Sequence, residues 1–111
     1  MDSTSLSAIV DEQLALAREA PSSRSARTIH GGQARVLRET VIALLGGHEL
    51  AEHESPGEAT LHVLRGRVRL VSGDETCDAD VGDHLIVPGD RHSLVAVEDS
   101  VVLLTVAKPL P

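Results

Sequence analysis

The apolar positions of this chain follow two rhythms. From residue 5 to 19, Leu6, Ile9, Val10, Leu14 and Ala17 recur at three- and four-residue steps, with Gln13 on the same side. That spacing predicts an α-helix with one apolar face. Thr4 or Ser5 can cap its start, because a side-chain oxygen there accepts an otherwise orphaned backbone N–H. Pro21 ends it. The next stretch, Pro21-Ser-Ser-Arg-Ser-Ala-Arg27, has the composition of a linker. Residues 1–27 are therefore read as helix plus linker, and the helix is expected to pack outside the main body or against a second copy of the chain.

From Thr28 the rhythm shortens to the two-residue alternation of strands. Candidate strands are 28–30, 34–45, 48–53, 59–65, 67–72, 75–79, 83–87, 92–97 and 100–107. Turn signals separate them: Gly31-Gly32, Gly46-Gly47, Ser55-Pro-Gly, Ser72-Gly-Asp, Val81-Gly-Asp, Pro88-Gly-Asp and Glu98-Asp-Ser. Gly66 has no side chain to pack and marks a bulge or sharp bend. Many short strands with regular turns predict an all-β sandwich or barrel over residues 28–111.

Composition narrows the partners. The chain has 111 residues, 41% of them apolar, and no Phe, Tyr or Trp. The core must be aliphatic. Without rings there is no stacking platform for single-stranded nucleic acid and no aromatic cage for a quaternary ammonium. Seventeen acidic residues against ten basic ones give a net charge of −7. A phosphate backbone needs a basic face, so no nucleic-acid partner is expected. Arg65, Arg67 and Arg69 alternate with Leu and Val residues and read as the solvent face of a strand. Asp78, Asp80 and Asp83 read as a solvated acidic turn. The single cysteine, Cys77, excludes an intrachain disulfide. With no basic-then-apolar leader at the start and no apolar run long enough to cross a bilayer, a cytoplasmic location and no membrane association are expected.

The six histidines carry the chemistry: His30, His48, His53, His62, His84 and His92. No HExxH or CxxC is present, which leaves only a site assembled from several strands. His30, His48 and His84 sit beside turns and read as surface or edge residues. Gly47 is followed by five residues and His53, and six residues separate Ala59 from Gly66. Gly82 is followed by five residues and Pro88, with His92 four positions further on.

These two spaced motifs resemble those of the cupin superfamily, in particular its small single-domain bacterial members of the cupin 2 type. The resemblance covers about residues 28–107 and implies an all-β, double-stranded β-helix (a jelly-roll barrel) with one N-terminal helix. A typical cupin metal site is similar to three His and one Glu around iron, manganese, nickel or zinc. Position by position, His53 matches the first His. Ser55 stands where the second belongs, and Ala59 where the Glu belongs. His92 matches the third His only if a one-residue shift is absorbed in the Pro88-Gly-Asp-Arg turn; otherwise Ser93 faces inward. Alternation turns Ala59, Leu61 and Val63 into the barrel and His62 outward. His62 or Glu58 are the candidates for a substitute third ligand.

The implied pocket is His53, Ser55, Ala59, Leu61 and His92. Its cofactor is open, with a divalent metal on His53 and His92 as one reading. Three functions remain in contention. The first is a binding or regulatory module with a degenerate metal site. The second is a metal-dependent enzyme, a dioxygenase, isomerase or sugar-modifying protein, working through His53 and His92. The third is a fully packed structural barrel. Aliphatic walls favour a small aliphatic or carboxylate ligand. Apolar runs such as 101–106, and the resemblance itself, point to a homodimer.

Overall fold

The computed structural model describes residues 1–53 and 57–108. The helix α1 spans Leu6–Glu19, and Ser5 is its cap: Ser5 Oγ accepts from the Ala8 N–H at 3.2 Å. Nine strands follow: β1 (Arg24–His30), β2 (Leu37–Leu44), β3 (Glu49–His53), β4 (Glu58–Arg65), β5 (Arg67–Ser72), β6 (Glu75–Asp80), β7 (His84–Ile86), β8 (His92–Ala96) and β9 (Ser100–Ala107). They form two antiparallel sheets, one ordered β1-β2-β9-β4-β7 and the other β3-β8-β5-β6. Packed face to face, these make the expected all-β barrel with one N-terminal helix.

Alternation gives the five-stranded sheet two different faces. Inward, Ala59, Leu61 and Val63 of β4 meet Val102 of β9, with Leu104, Val106 and Ile42 beside them. The second sheet adds Val68, Leu70, Ala79 and Leu94 to the same cluster. Outward, Val41 and Ala43 of β2 and Val101 of β9 receive Ile9, Val10, Leu14 and Ala17 of the helix. Burying Leu14, the largest of these helix residues held nearly free of solvent, contributes about 1.5–3 kcal/mol. The buried Gln13 is satisfied by a hydrogen bond from Ser25 Oγ.

One sequence expectation changes here. Residues 24–27 are not linker: they are the first half of β1 and pair with residues 41–44. Arg24-Ser-Ala-Arg lacks apolar alternation because β1 is an edge strand, and Ser25 turns its hydroxyl to the helix rather than to a core. The run 101–106 lies in β9, which turns Val101 and Leu103 to the helix and Val102, Leu104 and Val106 to the barrel.

Gly66 does mark the sharp bend between β4 and β5. Its φ is +82°, and a Cβ there would collide with Ser100 Oγ and the Asp99 carbonyl oxygen. Ser100 Oγ uses the space, accepting from the Arg67 N–H at 3.1 Å and lying 2.7 Å from the Glu98 carbonyl. Among the described residues, no helix is long and apolar enough to cross a membrane.

Candidate functional site at the barrel mouth

Along the inward face of β2 the residues run Ile42, Thr40, Arg38; opposite them on β9 stand Val102, Leu104 and Val106. Val102 lies in the buried core, with the partly buried Ile42 packed against it. Arg38, Thr40, Leu104 and Val106, joined by Lys108 just beyond the strand, line an open cavity of about 460 Å³. Its floor is aliphatic. Its polar groups are a guanidinium, an ammonium and the Thr40 hydroxyl, which lies 3.2 Å from the hydroxyl of Thr28 on β1. Lys108 is fastened to the β1–β2 connection: its backbone N–H donates to the Val36 carbonyl at 2.9 Å, and Nζ donates to the Gly32 carbonyl at 3.3 Å.

The residues singled out from the sequence fall around this cavity unevenly. Ala59 and Leu61 are buried and stand directly across from Val106 and Leu104, the two cavity-floor residues. His92 is buried and faces inward with Leu94 and Ala96, whereas Ser93 turns the other way. In the turn before β8, His92 Nδ1 lies 2.9 Å from the Asp90 carbonyl oxygen. His53 is paired in backbone register with His92. Ser55 lies outside the described residues. His62 and Glu58 are exposed on the opposite face of β4 and do not reach the barrel.

Among the described residues, metal chemistry fits this arrangement poorly. At the place that the family's carboxylate would occupy, Ala59 offers a buried methyl group. The buried His92 is the inward imidazole among the described side chains, and one imidazole leaves a divalent ion short of protein ligands; Arg38 and Lys108 set positive charge at the mouth of the same barrel. Among the described residues, no group of three or more His, Cys, Asp or Glu side chains is placed to hold a metal ion.

Sequence reasoning missed Arg38, Thr40 and Lys108. Arg38 and Thr40 were legible only as part of an apolar-rich strand, and Lys108 lies one residue past the last strand. The signal available was parity: positions 38 and 40 share the face of Ile42.

Other charges pair away from the cavity. Arg67 donates to Asp80 at 2.8 Å and Arg69 to Asp78 at 2.6 Å across β5 and β6, and Arg65 pairs with Asp11 of the helix at 3.0 Å. Asp78 and Asp80 are thus strand residues matched to arginines, not a turn. The hydrogen bond from Arg69 holds the Asp78 carboxyl below its ordinary pKa.

No protein-family model matches the chain, and no curated protein sequence does. Solved structures do match. A conserved Streptococcus pyogenes protein of unknown function is 33% identical, with a TM-score of 0.71 over 81% of this chain and 78% of that one. An RmlC-like cupin protein from Desulfovibrio desulfuricans is 28% identical, with a TM-score of 0.66 over 76% and 81%. A salicylate 1,2-dioxygenase from Pseudaminobacter salicylatoxidans is 26% identical, with a TM-score of 0.73 over 91% of this chain but 32% of that enzyme.

Proposed function

We propose that this chain, whose fold is similar to that of an RmlC-like cupin protein, is a binding module that takes a small carboxylate with an aliphatic body into the mouth of its barrel. The observation that carries this reading is the pairing of Arg38 and Lys108 with the apolar floor of Leu104 and Val106 in one 460 Å³ cavity. In a chain of net charge −7, two cations over an aliphatic surface favour an anionic head group, and a carboxylate matches the guanidinium fork. Flat aromatic ligands gain no stacking partner here, since the chain has no Phe, Tyr or Trp. The dioxygenase neighbour acts on salicylate, itself a carboxylate; the shared feature proposed is the charged head group, not the ring or the reaction. A packed structural barrel would lack such a cavity, and the metal-enzyme alternative gains no donor from the structure. The lone exposed Cys77 supports a reducing, cytoplasmic setting.

The test is calorimetric titration with straight-chain carboxylates from butyrate to octanoate, each beside its uncharged amide. Binding is expected for an acid and not for its amide. Arg38→Gln and Lys108→Gln should each weaken it about tenfold or more, the worth of a hydrogen bond to a charged group. Equal binding of acid and amide, no binding across the series, or unchanged affinity in both variants would overturn the proposal.

A further inference from the structure

One histidine pair is left unused by the barrel. We propose that His62 and His84 form a divalent-metal site on the outer face of the five-stranded sheet, and that Cu²⁺, Ni²⁺ or Zn²⁺ is held there rather than inside the barrel. His62 of β4 and His84 of β7 are register partners on adjacent antiparallel strands. Partners in such a pair point to the same face, with Cβ atoms about 4.5–5.5 Å apart, so two imidazole nitrogens can converge on one ion. Both residues are exposed, and the helix sits over β1, β2 and β9 rather than over β7.

The backbone around the pair is held from both sides. The Gly82 N–H donates to the Val63 carbonyl at 2.9 Å, the Val63 N–H to Asp83 at 3.0 Å, and the Val87 N–H to Ala59 at 3.0 Å. The strands that carry the two imidazoles are therefore fixed before any ion arrives, which lowers the ordering cost of binding.

Two imidazoles suffice on the open sheet face because water can fill the ion's remaining positions. A metal ion drawn into the barrel must shed water while Ala59 supplies no donor and Arg38 and Lys108 repel it. On the open sheet face it keeps water in its remaining positions and avoids that desolvation. Neutral imidazole suits copper, nickel and zinc, with copper expected tightest. The flanking pair, Thr60 and Ile86, brings no cation to the site.

The experiment is titration of untagged protein with copper chloride, nickel chloride or zinc sulfate, one metal at a time, followed by calorimetry, with electron paramagnetic resonance of the copper form. The expected result is one equivalent of Cu²⁺ with the spectral signature of two imidazole nitrogens. His62→Ala and His84→Ala should each weaken it by about tenfold or more, since loss of even an outer partner of a ligand costs that much. Both positions are exposed, so the variants keep the fold. His53→Ala and His92→Ala should leave binding unchanged. Loss of binding in those barrel variants, unchanged binding in both surface variants, or no binding of any of the three metals would overturn the site. Carboxylate binding at Arg38 and Lys108 is read out separately and is unaffected by either outcome.

Discussion

At the residue scale, Asp99 shows how a single turn carboxylate fastens distant parts of the chain. Its Oδ1 accepts the Gly46 N–H at 2.9 Å, and its Oδ2 accepts from Arg18 near the end of the helix at 3.3 Å. The Gly46 hydrogen bond, helped by Arg18, lowers the Asp99 pKa from its ordinary 3.8. A depressed carboxylate pKa stabilises the folded state at pH values above the unfolded value. That contribution is lost as pH falls below about 4 and through the folded pKa. Asp99→Ala is expected to cost about 1 kcal/mol at pH 7, discounted for its exposure, and the gap between variant and wild type should narrow as pH falls below about 4. Urea unfolding at pH 7 and at low pH measures both; an equal gap at the two values would show that the carboxylate charge is not what matters. Much at this scale was legible. The motif glycines Gly47, Gly66 and Gly82 all have positive φ, the conformation that glycine adopts at no steric cost. His92, assigned inward on the condition that the turn before it absorbs a one-residue shift, is buried on the inward face of β8.

At the element scale, the helix is a lid on the outer sheet face. Its amphipathic spacing was readable from the sequence because Ile9, Val10, Leu14 and Ala17 carry the whole signal. Its docking site was not, since Val41, Ala43 and Val101 that receive it look like any other strand residues until the register is known. The same blindness hid the first half of β1, where a polar edge strand imitates a linker. Leu14→Ala removes a side chain that is 2% exposed between helix and sheet and is expected to destabilise the fold by about 2–5 kcal/mol. The midpoint of denaturant unfolding followed by far-ultraviolet circular dichroism measures this. A change below about 1 kcal/mol would mean that the helix contributes little beyond covering the sheet.

At the scale of the whole molecule, the two hydrophobic clusters cannot be separated, because one sheet makes both. In β9, Val101 and Leu103 face the helix while Val102, Leu104 and Val106 face the barrel, and β2 divides its side chains in the same way. Pulling the helix away exposes the outer face of strands that the barrel core also needs. The cavity at the mouth lies at the end of those strands, beyond the buried Val63 and Val102. Unfolding is therefore expected to be a single cooperative transition, with the calorimetric enthalpy equal to the van't Hoff enthalpy. The chain has no Trp or Tyr to report on tertiary structure, so methyl resonances of Leu14 for the helix face and Leu94 for the barrel face are the natural paired probes. Both should disappear at one denaturant concentration. Loss of the Leu14 signal ahead of Leu94 would show that the helix opens on its own, and that the barrel survives with its outer face bare.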